Sequence, residues 1–477
     1  MMKHSVLILC TLAPALAFGQ AFDRTQAPPL DAPPALKLPM LERTSLSNGV
    51  TLQLVQQHEL PLVQLTLVIV GGTKLDASQP GLASFTARML TEGAGTRDAN
   101  ALQSELAFLG AQLFASAGTD AFTISLNVPR RTLEQALDLL GDVVLRPLFR
   151  AADVRRQRDL RLAGILQRRD NANILALLAF NQLVFPPGHP YHRPSDGDSA
   201  ATAALDSAMV RGFYDQTFVP ERAKFVIVGD VTVSEMRTLL TRRFSGWTRG
   251  TTARTMAAVT AKPVSNAQVK VYLVDKPNAP QSVIYLGAPG ADRLSPDYPA
   301  LMVMNTILGG SFSSRLNSNL RETRGYTYGI SSQFSWQPLP GPFVISSGVR
   351  SNVTDSSLVE IFREVKMLRD LMVDAAELER AKAYVALGVP QRFETNAQIA
   401  GQLVSLGYFG LPLTSLGDFV SKVNQVTATD VQRVARQYLP AGTATLVVVG
   451  DLAKIRAGIE ALQLGPIAVL DVQQVAR

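Results

Sequence analysis

The chain is 477 residues long, 47% hydrophobic and 18% charged, which suits a soluble globular protein of two or more domains, with length enough for more than one core. Its net charge of +7 comes from scattered basic residues, and there is no aromatic-interleaved basic patch of the kind that grips single-stranded nucleic acid. The one local basic cluster, Arg155 to Arg169, falls in a helical stretch and reads as a solvated helix face.

Residues 1–19 read as a secretory signal. Lys3 and His4 precede an apolar run from Val6 to Leu16, and Ala15-Leu16-Ala17 and Ala17-Phe18-Gly19 both offer small-x-small cleavage sites. The run is shorter than the roughly 20 apolar residues a membrane span needs, and no later stretch qualifies either. Cys10 is the only cysteine and lies inside the signal, after Leu9 where lipid attachment wants a small residue. The mature chain therefore has no disulfide and no thiolate ligand, and export without cysteine fits a bacterial periplasm.

Residues 20–40 are rich in Pro and Ala and read as an extended arm. Beyond it the chain repeats itself. Leu54 to Pro61 resembles Leu273 to Pro280 at an offset of 219, Phe218-Val219-Pro220 resembles Tyr438-Leu439-Pro440 at 220, and Phe225 to Asp230 resembles Leu446 to Asp451 at 221. Three markers at nearly one offset imply two homologous halves, residues 41–250 and 267–477, joined by a Thr/Ala/Ser-rich linker at 251–266.

In the first half, Val50 to Leu54, Leu65 to Val70 and Phe122 to Val128 read as strands. Gly81 to Thr91 and residues 100–109 read as helices, and Asp153 to Phe185 as one long helical region ended by Pro186-Pro187. In the second half, strands are expected at 269–274, 282–287 and 343–349, and helices at 297–308 and 354–371. The expected fold class is α+β: two α/β halves, each a mixed, largely antiparallel sheet packed by helices.

The stretch Gly81-Leu82-Ala83-Ser84-Phe85-Thr86-Ala87-Arg88-Met89 carries the most information. With Leu46-Ser47-Asn48-Gly49-Val50, His189-Pro190-Tyr191, Val228-Gly229-Asp230 and Leu320-Arg321-Glu322 before Gly325-Tyr326-Thr327-Tyr328, it resembles the insulinase/pitrilysin family of zinc metallopeptidases, in its short two-halved form. The resemblance runs from about residue 43 to 465. In that family the stretch reads Gly-Leu-x-His-x-x-Glu-His-Met. The histidines bind zinc from one helix face and the glutamate activates water.

The corresponding positions here are Ser84, Ala87 and Arg88. The third ligand, a glutamate placed before an Asp-Asn-like pair, maps onto Gly164 if Asp170-Asn171 is that pair, or onto Gln167 after a one-turn slip. Zinc needs nitrogen, sulfur or carboxylate ligands, so the resemblance implies a protease fold without its metal. The motif face then reads as ordinary packing, with Arg88 paired to a nearby acid. The mature chain's remaining histidines, His58, His189 and His192, do not lie on a ligand-bearing helix, and His189 and His192 fall in a proline-bounded turn. No Gly-x-Ser-x-Gly elbow offers a serine nucleophile.

The second half resembles the family's substrate motif, in which an Arg and a Tyr seven residues apart approach the zinc site from the other half or subunit; here these are Arg321 and Tyr328. A guanidinium and a phenol can stabilise the oxyanion of peptide hydrolysis. The alternative is a strand aromatic and an arginine placed for a helix dipole. Phe114-Ala115-Ser116 falls where active members often carry Asn-Ala on a substrate-pairing edge strand. The resemblance thus implies a subunit inactive alone and without its own cofactor. It would supply Arg321 and Tyr328 to a homologous zinc-bearing partner acting on peptides. The alternative is an inert peptide-binding or structural assembly protein of the same fold.

Overall fold

The computed structural model describes residues 38–248, 254, 261–440 and 442–476. The signal, nearly all of the proline-rich arm and most of the 251–266 linker lie outside the described residues. The first half contributes strands β1 (Glu42–Ser45), β2 (Thr51–Gln56), β3 (Leu62–Val70), a short pair β4 (Gly93–Ala94) and β5 (Arg97–Asp98), β6 (Gln112–Ala117), β7 (Ala121–Pro129) and β8 (Ala223–Gly229). The second half contributes β9 (Lys270–Asp275), β10 (Gln281–Pro289), β11 (Thr327–Phe334), β12 (Pro342–Arg350), β13 (Thr445–Gly450) and β14 (Ile467–Leu470).

Two six-stranded sheets result, ordered β1-β2-β8-β3-β7-β6 and β14-β9-β13-β10-β12-β11. Their inner pairings match: β2 runs parallel to β8 as β9 does to β13, and the other shared pairs are antiparallel. Only the outermost strand differs. β1 arrives from the N-terminal side and pairs antiparallel, whereas β14 arrives from the C-terminal side and pairs parallel. The repeat read from the sequence is a duplicated fold of the expected mixed α+β class.

The central strands of each sheet are buried on both faces, and their outer cover comes from the other half. The helix Ala172–Val184 lays Leu175, Phe180 and Val184 on Val283, Val447 and Val449 of the second sheet. Gly287 permits that approach: a Cβ there would lie 2.2 Å from the Phe343 carbonyl oxygen and 2.7 Å from the Phe180 ring. Reciprocally, the helix Asn396–Tyr408 packs on β3 and β8 of the first sheet, where the Asn396 amide donates to the Leu62 carbonyl at 3.2 Å. Burial of both faces explains the near-continuous apolar run of β3, Leu62–Val70.

Two expectations need correction. The helical region 153–185 is two helices, Ala151–Gln167 and Ala172–Val184. They are separated by a tight turn, and Asn171 caps the second by accepting from the Asn173 and Ile174 N–H groups at 3.0 and 3.2 Å. The Arg155–Arg169 cluster is not a uniformly solvated face. Arg168 is 5% exposed and donates to the Gly197 carbonyl at 2.9 Å, and Arg161 is half-buried against the motif helix. The arginine-rich composition hid this, because a guanidinium can be buried where backbone carbonyls line its path.

Candidate functional site

The motif helix is Leu82–Met89. Gly81 precedes it with φ +88°, and a Cβ there would lie 2.6 Å from the Asp196 carbonyl oxygen, so the loop can close on the helix start only over glycine. Asp76 caps the helix from upstream, accepting from the Gly81 and Ala83 N–H groups at 2.8 and 2.7 Å. Burial pushes its carboxyl up to about 7, against the pull of those two donors and of Arg254 and Arg161.

Phe85, Ala87 and Met89 point into the core of the first half. Ser84 donates to the Gly81 carbonyl at 3.1 Å. Arg161, on the helix Ala151–Gln167, donates from one guanidinium nitrogen to Gly81 O at 2.9 Å and to Ser84 Oγ at 3.0 Å, and its guanidinium lies 4.9 Å from the Phe85 ring centre. Desolvation lowers the Arg161 pKa to about 10. One turn earlier on that helix, Gln157 accepts from Arg88 Nε at 3.3 Å. Arg88 also pairs with Glu92 at 3.3 Å, and Arg156 reaches the same carboxylate at 2.7 Å.

The groups facing the motif from the neighbouring helix are thus Gln157 and Arg161. Gly164 and Gln167 are exposed, and a Cβ on Gly164 would meet nothing within 4 Å. These residues do not fit zinc. A hydroxyl, a methyl and a guanidinium stand at the motif positions, and a second guanidinium is bonded to the hydroxyl, so a dication would meet fixed positive charge.

The histidines are engaged elsewhere. His58 Nδ1 lies 2.6 Å from Asp230, His189 Nδ1 accepts from the Tyr191 N–H at 3.2 Å, and His192 Nδ1 donates to the Phe185 carbonyl at 2.6 Å. Among the described residues there is no group of three or more His, Cys, Asp or Glu side chains that could hold a metal ion.

In the second half, Arg321 lies on the helical turn Asn317–Thr323, whose hydrogen bonds are those of a π-helix. Its guanidinium stacks 4.2 Å from the Phe312 ring centre and pairs weakly with Glu322 at 3.4 Å. Tyr328 is 93% exposed. It sits at a bulge of edge strand β11, where the register against β12 steps from Thr327–Val349 to Ile330–Ser347. Thr327 Oγ1 accepts from the Gly329 N–H at 3.0 Å and donates to the Gly348 carbonyl at 2.7 Å, fixing the bulge that turns the phenol outward. Phe114, on edge strand β6 of the first sheet, is 68% exposed. No hydrogen bond or ion pair joins the motif helix to Arg321 or Tyr328 among the described residues.

Sequence reasoning missed Arg161, Gln157 and Asp76. The first two stand four residues apart, a spacing that puts them on one helix face, but no sequence signal aims that face at Ser84 and Arg88.

The family model described as Insulinase (Peptidase family M16) matches residues 53–177, and the one described as Peptidase M16 inactive domain matches residues 204–385. The chain belongs to the insulinase (M16) peptidase family. An uncharacterized zinc protease of Mycobacterium leprae is 30% identical over 293 residues, which span 60% of this chain and 64% of that M16 relative. The protein named non-peptidase homolog YmxG of Helicobacter pylori is 23% identical over 403 residues, 84% of this chain and 91% of that one. The crystal structure of a peptidase M16 inactive domain from Pseudomonas fluorescens superposes with a TM-score of 0.78 at 28% identity, covering 86% of this chain and 98% of that one. A protease from Helicobacter pylori superposes at 0.80 with 18% identity, covering 86% of this chain and all of that one, a likeness of fold. This is a non-catalytic protein of the M16 type. No helix among the described residues is long and apolar enough to cross a membrane.

Proposed function

We propose that the chain is the non-catalytic subunit of a heterodimeric periplasmic zinc endopeptidase, whose homologous partner holds the metal. The observation that carries this reading is the contrast between the halves. The motif helix is closed by internal bonds to Arg161 and Gln157, while Tyr328 stands 93% exposed beside the Arg321 turn with its hydroxyl unpaired among the described residues. An exposed phenol held by a bulge is an unused hydrogen-bond donor. A guanidinium braced by an aromatic ring keeps its other face for a ligand.

In the partner's site, Tyr328 would donate a hydrogen bond to the carbonyl oxygen as charge develops on it, and Arg321 would hold the substrate backbone. Zinc, bound by the partner, would supply Lewis-acid chemistry and the activated water. Substrates would be unfolded peptides able to enter between the subunits.

The test is a peptidase assay on the purified chain, a homologue with the intact motif, and their mixture, with zinc measured in each. Activity only in the mixture, with zinc in the partner and a loss of about a hundredfold in Arg321→Ala or Tyr328→Phe, is expected. Zinc and activity in this chain alone would overturn the reading. Inactivity of every combination would favour an inert peptide-binding or assembly protein.

A further inference from the structure

Arg321 and Tyr328 sit on different elements, a helical turn and a strand bulge, so their usefulness as a pair depends on what ties the two together. Asn317 lies one turn before Arg321 and is 8% exposed. Its Nδ2 donates to the Ile330 carbonyl at 2.8 Å, and its Oδ1 accepts from the Ile330 N–H at 3.2 Å. The same Nδ2 also lies 3.2 Å from the Ser311 carbonyl.

Ile330 is the first residue after the bulge, and β11 is the sheet's edge. An edge residue that turns its N–H and C=O outward would normally meet water or another strand. Here one side-chain amide takes both groups, as a neighbouring strand would.

We infer that Asn317 is a positioning residue that locks the Arg321 turn to the Tyr328 bulge and so sets the relative placement of guanidinium and phenol. The inference rests on the reading that this pair acts on substrate. Neither neighbour can replace it. Ser314 has one hydroxyl, and Asn319 is turned away, donating to Glu360 and Glu364 at 2.8 Å each. Aspartate at 317 would keep the acceptor for the Ile330 N–H and lose the donor to its carbonyl. Alanine would lose both.

The test uses the full chain labelled with fluorotyrosine, with the Tyr328 fluorine resonance assigned by its disappearance in Tyr328→Phe. The wild type is expected to show one narrow line for Tyr328. Asn317→Ala is expected to shift or split that line while the other tyrosine lines stay in place, and to speed exchange of the Ile330 amide by about tenfold or more. In the complex with the zinc-bearing partner, Asn317→Ala should lower kcat by about tenfold to a hundredfold with KM little changed, and Asn317→Asp should fall between.

An unchanged Tyr328 line and unchanged Ile330 exchange in Asn317→Ala would overturn the inference. If that variant fails to fold, Asn317→Asp is read by the Tyr328 line, an unchanged line overturning the inference, because aspartate keeps the acceptor for the Ile330 N–H. Should Arg321→Ala and Tyr328→Phe leave the complex fully active, the functional reading of the pair falls, while the fluorine and exchange signals still decide whether Asn317 locks the two elements.

Discussion

The Arg161 guanidinium donates to the Ser84 hydroxyl at 3.0 Å and to the Gly81 carbonyl behind it at 2.9 Å, so a fixed cation lies against the first position of the lapsed metal motif. The site has been rebuilt around a different interaction, and simple restoration of the three motif residues should not recover it. The triple variant Ser84→His, Ala87→Glu, Arg88→His is expected to bind no stoichiometric zinc by elemental analysis. Adding Arg161→Glu removes the repulsion and supplies a carboxylate, and should raise zinc occupancy. Stoichiometric zinc in the triple variant would show that Arg161 does not guard the site.

Arg161 should also contribute to stability. Arg161→Leu removes the donor to Ser84 Oγ, one of three donors to the Gly81 carbonyl, and the contact with Phe85. A loss of about 1–3 kcal/mol in denaturant unfolding is expected. Arg161→Lys should recover little of it, because an ammonium cannot lie flat along an aromatic ring.

Asp76 makes stability depend on pH with an unusual sign for a carboxylate. Its folded-state pKa is raised from 3.8 to about 7 by burial. Between those values the folded chain holds the proton and the unfolded chain releases it. The contribution is therefore present below the unfolded value, declines as pH rises through the folded one, and is flat above. Unfolding free energies of the wild type and Asp76→Asn, measured from about pH 4 to 8, should show the wild type losing ground to the variant as pH rises. A constant difference would exclude this carboxyl as the source.

Tyr328 offers a separation of stability from function. At 93% exposure, Tyr328→Phe should change unfolding free energy by less than about 0.5 kcal/mol, while still removing the hydroxyl that the proposed complex needs. A large stability loss would mean that the phenol is a packing group.

Phe180 tests the exchange of cover helices. Phe180→Ala, in the first half, should cost about 3–5 kcal/mol by leaving a cavity over the second sheet. Trp247 and Trp336, one in each half, should report the same lowered midpoint.

Much of the fold was legible because the halves repeat and their apolar strands are long. The offsets near 220 placed β2 with β9 and β8 with β13, and the apolar run at Leu65 to Val70 marked a strand, which lies at the centre of its sheet. The break at Arg168–Asp170 was not legible, since helical residues continue through it and only the capping role of Asn171 ends one helix and starts the next. At the site, the positions Ser84, Ala87 and Arg88 showed which groups zinc would lack. What faces them is set by how two distant helices meet, and periodicity within one helix carries no register between two. The same limit hid Asn317, whose partner Ile330 is defined by a bulge that strand patterning does not mark.

The reciprocal seating of Ala172–Val184 on the second sheet and Asn396–Tyr408 on the first has a consequence for how this gene can be divided. Each half, made alone, would carry one bare sheet face and one orphaned apolar helix, both prone to clump. The two fragments should survive only when made together, each acting as the other's chaperone. Duplication here therefore yielded two lobes that are alike in plan yet no longer separable as parts.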